Sequence, residues 1–112
     1  MYIGEASKKT GLSIKAIRFY EAKGLIKPPE RVGRYRVYHS TDIELLLLIK
    51  EAKDIGVTLS QLRSVIEFNK GVVDWRNIKL FLAEIRQQLV REMEVLSQKI
   101  ENLDQCYQQI KD

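Results

Sequence analysis

The 112-residue sequence is poor in cysteine and proline and contains no long hydrophobic run. Its one cysteine, Cys106, cannot form an intrachain disulfide, and this usage favours a reducing compartment. The longest apolar stretch, residues 43–49, is interrupted by Glu44 and is too short to span a bilayer. The first residues lack the basic, apolar and small-residue succession of a signal peptide. These absences predict a cytoplasmic protein with no membrane partner.

The sequence also offers little catalytic chemistry. It contains no recognisable nucleophile–base set, phosphate-binding loop or cluster of metal ligands. The single histidine, His39, has no second His or Cys nearby, and a lone thiol such as Cys106 is expected to be a small buried apolar residue. We therefore predict no enzymatic activity, no catalytic residues, no metal and no cofactor.

Positive charge is concentrated near the N-terminus. The net charge is +4, but residues 1–70 contain 13 Lys/Arg and 8 Asp/Glu, whereas residues 71–112 contain 6 and 7. Residues 8–36 alone contain nine Lys/Arg against two acidic residues. A solvated basic surface explains scattered lysines, but this concentration in one segment favours binding to a polyanion.

Two short helices joined by a tight turn are predicted at the N-terminus. The first lies within residues 3–12 and ends at Gly11, which can adopt the left-handed C-cap conformation. Ser13 is a good N-cap for the second helix, and residues 15–20 carry basic and aromatic side chains. This is a helix-turn-helix pattern, whose second helix enters the major groove in proteins that bind DNA.

A small two-stranded wing is predicted to follow. Pro28 and Pro29 end helical structure. From Arg34 the residues alternate between the two sides of an extended chain, as in a strand. The predicted strands are residues 26–27 and 35–38, with the tip at 29–33.

Two further helices are predicted before the C-terminal segment. Ser40 or Thr41 is expected to cap the first, and Gly56 to end it. Its four consecutive leucines occupy more than one helical face and predict burial on two sides. The second helix is predicted to begin at residues 58–61 and to stop near residues 69–71.

A long helix is predicted from about residue 74 to residue 110, where neither Gly nor Pro interrupts the chain. Apolar residues recur there three and four positions apart, which is a heptad seam with one irregular step. A helix of about 35 residues is about 50 Å long, so a small head cannot cover the whole seam and a second such helix is needed. The expected dimer-interface residues are Leu82, Ile85, Leu89, Met93, Leu96, Ile100 and Leu103.

The predicted fold is therefore mainly α, with a winged helix-turn-helix head followed by a long dimerisation helix. We assign residues 1–70 to a DNA-binding domain and residues 71–112 to a coiled-coil dimerisation helix.

The order of these elements and several motifs closely resemble the MerR family of bacterial transcription regulators. The matching segments are residues 3–6, 18–21 and 24–26, Ser13, and Tyr35-Arg36-Val37-Tyr38. Residues 49–59 resemble the segment that follows the wing in this family. The resemblance extends residue by residue over 1–68 and covers 75–110 in architecture only. Arg34 departs from the pattern, because many members have glycine there.

The resemblance implies a long helix that pairs antiparallel with its twin and a homodimer that binds pseudo-palindromic promoter DNA. In this family the operator lies in an over-long spacer between the polymerase recognition elements. The activated dimer bends and untwists that spacer, and the contacts that the bend permits offset the cost of deforming DNA. The implied partners are double-stranded promoter DNA, a second copy of the chain and RNA polymerase at the promoter. The effector, and the choice between activation and repression, stay open.

Individual residues have distinct expected roles. Arg18 is the candidate for base readout, because a guanidinium can contact guanine O6 and N7 together. Lys15 is expected to contact phosphate, and Tyr20 either reaches DNA through its hydroxyl or packs against the wing. Phe19 is expected in the core. The predicted backbone contacts are Arg31, Arg34, Tyr35 and Arg36 of the wing, with Leu59 and Ser60 at a helix N-terminus.

An adaptor that uses the coiled coil for protein interactions, with only non-specific affinity for nucleic acid, is the alternative function. It treats the basic head as a solubility feature and leaves Arg18, Arg34 and Arg36 unexplained. A redox or two-chain metal role for Cys106 is the least favoured, because antiparallel pairing puts the two cysteines at opposite ends of the coil.

Overall fold

The structure, a computed structural model, describes residues 1–66, 68–69 and 72–111. The helices are α1 (Ile3–Thr10), α2 (Ile14–Ala22), α3 (Ser40–Asp54), α4 (Leu59–Val65) and α5 (Trp75–Gln109). Two antiparallel hairpins pair β1 (Glu30–Val32) with β2 (Tyr35–Val37), and β3 (Phe68–Asn69) with β4 (Val72–Val73). The backbone forms two compact units, Met1–Asp74 and Trp75–Asp112. The predicted fold class is confirmed.

The core of the first unit lies where α1 packs against α2 and α3. Its most deeply buried large side chains are Ile17, Leu25, Ile26, Tyr38, Leu45, Leu46, Ile49 and Leu62. Within the leucine run of α3, Leu45 and Leu46 are buried, whereas Leu47 is 38% exposed. The single chain therefore covers only part of this helix.

The turn between α1 and α2 is fixed by its capping residues. Gly11 adopts φ 74° and donates its backbone N–H to the Ser7 carbonyl at 2.9 Å, and the Ser13 hydroxyl accepts from the Ala16 N–H at 3.0 Å. Both predicted caps are confirmed. Lys50 of α3 adds a tertiary link, because its Nζ donates to the Thr10 carbonyl at 3.1 Å and so satisfies an orphan acceptor at the end of α1.

The wing differs from its predicted position. Its first strand is β1, residues 30–32, and not residues 26–27; Gly33 and Arg34 form the tip. Ile26 is 1% exposed, so the core retains this residue and the strand begins beyond the two prolines. Gly33 has φ 63°, which a tight hairpin tip requires and glycine readily adopts.

The start of α3 also differs from the prediction. Ser40 is the first helical residue, and His39 is the N-cap. The Asp42 carboxylate accepts a hydrogen bond from the His39 backbone N–H at 2.9 Å, and Asp42 is 5% exposed. Asp42, the third residue of α3, therefore caps the start of the helix in the manner of the acidic residue of a capping box. At the other end Gly56, with φ 94°, follows the helix as expected.

The α4 helix ends earlier than predicted. It stops at Val65, and Ile66 is extended and 6% exposed. A second hairpin, β3 with β4, follows in the sequence, and it was not predicted. The predicted helix end at Asn69 is therefore wrong, while Lys70 and Gly71 lie outside the described residues.

The α5 helix comprises 35 residues, as the periodicity predicted. Leu82 and Ile85 are half-buried, and the rest of the predicted dimer seam is exposed: Leu89 44%, Met93 63%, Leu96 58%, Ile100 59% and Leu103 68%. Cys106, beside this seam, is likewise exposed in the single chain, so its expected burial stays a prediction for the dimer. Within the described residues, no helix is long and apolar enough to cross a membrane.

Candidate nucleic-acid interface

The α2 helix presents one basic face and buries the other. Ile17 is fully buried and Tyr20 is 8% exposed, so these residues fix the helix on the core. Lys15 and Arg18 are exposed. The predicted burial of Phe19 is wrong: its ring is 44% exposed and lies 5.5 Å below the Lys23 ammonium. A cation over an aromatic ring is an attractive contact, which accounts for a large apolar side chain near solvent.

Tyr20 is buried and contacts its neighbour Phe19 in α2, so its packing against the wing stays a prediction. Its ring lies 5.9 Å from that of Phe19, and 8% exposure leaves only a small edge available to a ligand.

The wing carries three exposed predicted contacts. Arg31 and Arg34 are exposed, and Tyr35 is 60% exposed. The Tyr35 ring packs against that of Tyr2 in a tilted arrangement, with centroids 5.5 Å apart, and this contact joins the wing to the start of the chain. These side chains extend the basic surface beyond α2.

Arg36 joins the wing to α2. Its Nε lies 3.1 Å from Oε1 of Glu21, and the two side chains are 27% and 15% exposed. A charge-assisted hydrogen bond with this little solvent is stronger than a surface ion pair. Arg36 therefore has an acidic partner inside the protein, and this pairing fixes the wing relative to α2.

Tyr38, which follows the wing, packs in the core and joins it to the N-terminus. Its backbone carbonyl accepts from the Met1 terminal ammonium at 2.9 Å, and its N–H donates to the Met1 carbonyl at 2.6 Å. The ring is fully buried, and its hydroxyl has no hydrogen-bond partner among the described residues. Burial, and secondarily the negative charge of Glu21, raise the pKa of Tyr38 above its usual value of 10.0.

A shallow groove of about 320 Å³ lies beside α2. It is lined by Ser13, Lys15, Ala16, Phe19, Tyr20, Lys53 and Leu59. Lys15 and Leu59 were predicted from the sequence, whereas Lys53, an exposed residue in the last turn of α3, was not. The sequence contained a signal for Lys53, because a lysine in the last turn before Gly56 lies close to the start of the next helix.

The start of α4 is rigidly capped. The Thr58 hydroxyl accepts from the Gln61 N–H at 3.1 Å, and the Gln61 side chain accepts from the Thr58 N–H at 2.9 Å. Leu59 and Ser60 are the first two helical residues, so their N–H groups have no intrahelical acceptor. Leu59 also lines the groove that contains Lys15 and Lys53. Because α4 has only seven residues, its first turn is not a separate anion site.

No group of three or more His, Cys, Asp or Glu side chains comes together within the described part of the chain.

Comparisons with known proteins agree with this geometry. Residues 1–68 match the family model described as MerR HTH family regulatory protein. The chain is 35% identical over 106 residues to the HTH-type transcriptional regulator CueR of Yersinia pestis, covering 94% of this chain and 72% of that protein. It is 30% identical over 112 residues to heavy metal-dependent transcription regulator 2 of Rhizobium meliloti, covering 99% and 72%.

A solved structure of a putative MerR family transcriptional regulator from Listeria monocytogenes shares the architecture. The TM-score is 0.68 at 27% identity, with 93% of this chain and 80% of that chain covered. The fold and the basic face define a helix-turn-helix DNA-binding transcription regulator, which is not an enzyme. The chain belongs to the MerR family.

Proposed function

We propose that this chain binds pseudo-palindromic promoter DNA as a homodimer and controls transcription by distorting the promoter spacer, with RNA polymerase as the partner that reads the change. The observation that carries the proposal is the Glu21–Arg36 contact of 3.1 Å, which locks the wing to α2. A protein that deforms DNA must hold its two contact elements rigidly, because flexible contacts would yield to the stiffness of the duplex.

The residues divide into two classes of contact. Arg18 reads a base edge from the exposed face of α2, since a bidentate contact to guanine discriminates among base pairs. Phosphate contacts come from Lys15, from Arg31, Arg34 and Tyr35 of the wing, from the groove residues Lys53 and Leu59, and from Ser60 at the start of α4. Tyr20 and Arg36 act mainly by positioning, through burial and through Glu21 respectively.

The second part of the proposal is dimerisation through α5, with antiparallel helices. The exposed seam supports this, because a contiguous stripe of large apolar side chains on a single helix is costly in water. No metal or cofactor is included, although some relatives are named for heavy metals. The effector is left unassigned.

Arg18→Ala tests the base-reading role. We expect it to weaken binding to the cognate site by about 1–3 kcal/mol and to narrow the margin over random DNA, because a bidentate base contact is lost. Lys15→Ala is the matched control, and it should weaken both duplexes about equally. The measurement is the affinity of each variant for both duplexes at one salt concentration. Equal losses on both duplexes for Arg18→Ala would move this residue to the phosphate class.

A further inference from the structure

The exposed seam of α5 contains information about how two copies align. Successive seam residues are three or four positions apart in alternation, except at Ile85, Leu89 and Met93, where two steps of four follow each other. Such an irregularity locally unwinds a coiled coil. Two antiparallel helices keep their core layers matched along the whole seam only if their irregular segments meet, so the two-fold axis must lie close to this segment.

Two registers satisfy this condition. In one, the axis passes between Glu92 and Met93; in the other, half a heptad away, it passes through Leu89. The first pairs Leu82 with Leu103, Ile85 with Ile100, and Leu89 with Leu96, which are all at least partly accessible in the single chain. It also sets the exposed Tyr107 opposite Ile78. Each pair occurs twice by symmetry.

The overlap of the two helices separates the two registers. With the axis at Leu89, residues 104–109 of α5 would extend past the start of the partner helix at Trp75. Tyr107, which is 78% exposed in the single chain, would then have no helical partner. The helix itself runs Trp75–Gln109, and the axis between Glu92 and Met93 lies at its middle, so the two copies of α5 overlap along almost their full length.

We propose that two copies of this chain pair antiparallel through α5 with the two-fold axis between Glu92 and Met93. This inference rests on the proposed homodimer and specifies its register. Met93 then lies beside its own copy, offset by about 1.5 Å along the helix axis, whereas the two Cys106 residues are about 40 Å apart. The native thiols cannot bridge the dimer at that separation.

Disulfide trapping tests the register in the protein as it exists. The background is the full chain with Cys106→Ser, which removes the only cysteine. Met93→Cys in this background should oxidise to an interchain disulfide in most molecules. Leu89→Cys and Leu103→Cys should not, because their copies are offset by about 10 Å and about 30 Å. Mixing Leu82→Cys with Leu103→Cys should give a disulfide between the two different variants.

The alternative outcomes overturn the inference in distinct ways. Efficient trapping of Leu89→Cys without Met93→Cys would place the axis at Leu89. Trapping at every position, Leu103→Cys included, would mean parallel helices. A sedimentation dimer that traps at none of these positions would reject the register alone, whereas a monomer would also reject the proposed homodimer. The DNA affinity of each reduced variant is measured in parallel. A variant that binds DNA as a dimer but lacks the expected disulfide rejects the register and leaves the proposed function intact.

Discussion

At the scale of single residues, the junction between α2 and the wing combines a paired charge with an unpaired hydroxyl. Glu21 is satisfied by Arg36, while the Tyr38 hydroxyl is buried nearby without a partner among the described residues. A buried hydroxyl without a hydrogen bond costs stability. The aromatic ring fills the core, so the hydroxyl and not the ring is the unfavourable group at this position.

Tyr38→Phe should therefore preserve or raise the free energy of unfolding near pH 7, by up to about 1 kcal/mol. The pKa of Tyr38 is raised mainly by burial, then by Glu21, so the fold favours the neutral phenol. Below pH 10 the phenol is neutral in both the folded and the unfolded chain, so its ionisation does not lower the free energy of unfolding. As the pH rises further, through the raised pKa of the folded state, ionisation of this group lowers that free energy. Urea denaturation at pH 8 and above pH 10 should show a smaller alkaline loss in the variant.

Tyr35→Phe is the control for this comparison, because the Tyr35 side chain is 60% exposed. It should follow the alkaline profile of the unmodified chain. Parallel profiles for Tyr38→Phe and the unmodified chain would contradict the role assigned to the buried phenol.

At the scale of secondary-structure elements, two glycines affect helix α1 in opposite ways: Gly11 stabilises its end, whereas Gly4 is a poor helix former within it. Gly11 has φ 74°, and a Cβ there would lie 2.7 Å from Lys50 Nζ, the group that binds the Thr10 carbonyl. Gly4 lies inside the helix with nothing within 4 Å of an added Cβ.

Gly11→Ala should lower the free energy of unfolding by about 1–2 kcal/mol, because alanine is strained in the left-handed region. Gly4→Ala, the matched control, should raise it by about 0.5–1 kcal/mol, since alanine is the better helix former. Thermal or urea denaturation of both variants checks the pair. A neutral Gly11→Ala would mean that the end of α1 tolerates a different cap.

Some element boundaries could be predicted from the sequence and others could not. Local chemistry predicted the α1–α2 turn, because Gly11 and Ser13 each have a conformational reason to stand at a helix end. The start of β1 and the end of α4 could not be found in this way. Burial of Ile26 and Ile66 in the tertiary core decides both boundaries, and no local signal reports which apolar residue the core will retain.

The candidate site shows the same division. Arg18, Lys15 and the wing arginines followed from charge and motif. The Glu21–Arg36 contact and the Lys53 side of the groove depend on elements that are distant in sequence. The predicted burial of Phe19 was wrong, because helical periodicity alone does not show that Lys23 covers its ring.

At the scale of the whole molecule, a compact head and a long helix must be joined into a dimer for two half-sites to be read. Leu89→Asp places a charge in the apolar seam and should abolish the dimer, because the carboxylate would be buried without a partner. Leu80→Asp is the control: Leu80 is 60% exposed and lies on α5 two positions from either neighbouring seam residue, hence off the seam. Sedimentation should find monomers for the first variant and dimers for the second; dimers for both would show that the seam is elsewhere.

Selection of bound sequences from a random duplex pool, with the salt dependence of the selected site's affinity, tests the central claim most directly. We expect enrichment of an inverted repeat, since a two-fold dimer imposes its symmetry on the operator. The affinity should fall with salt at a slope of about −0.9 per phosphate contacted. Weak binding without an enriched sequence would contradict the account and favour the adaptor, in which the basic head gives only non-specific affinity.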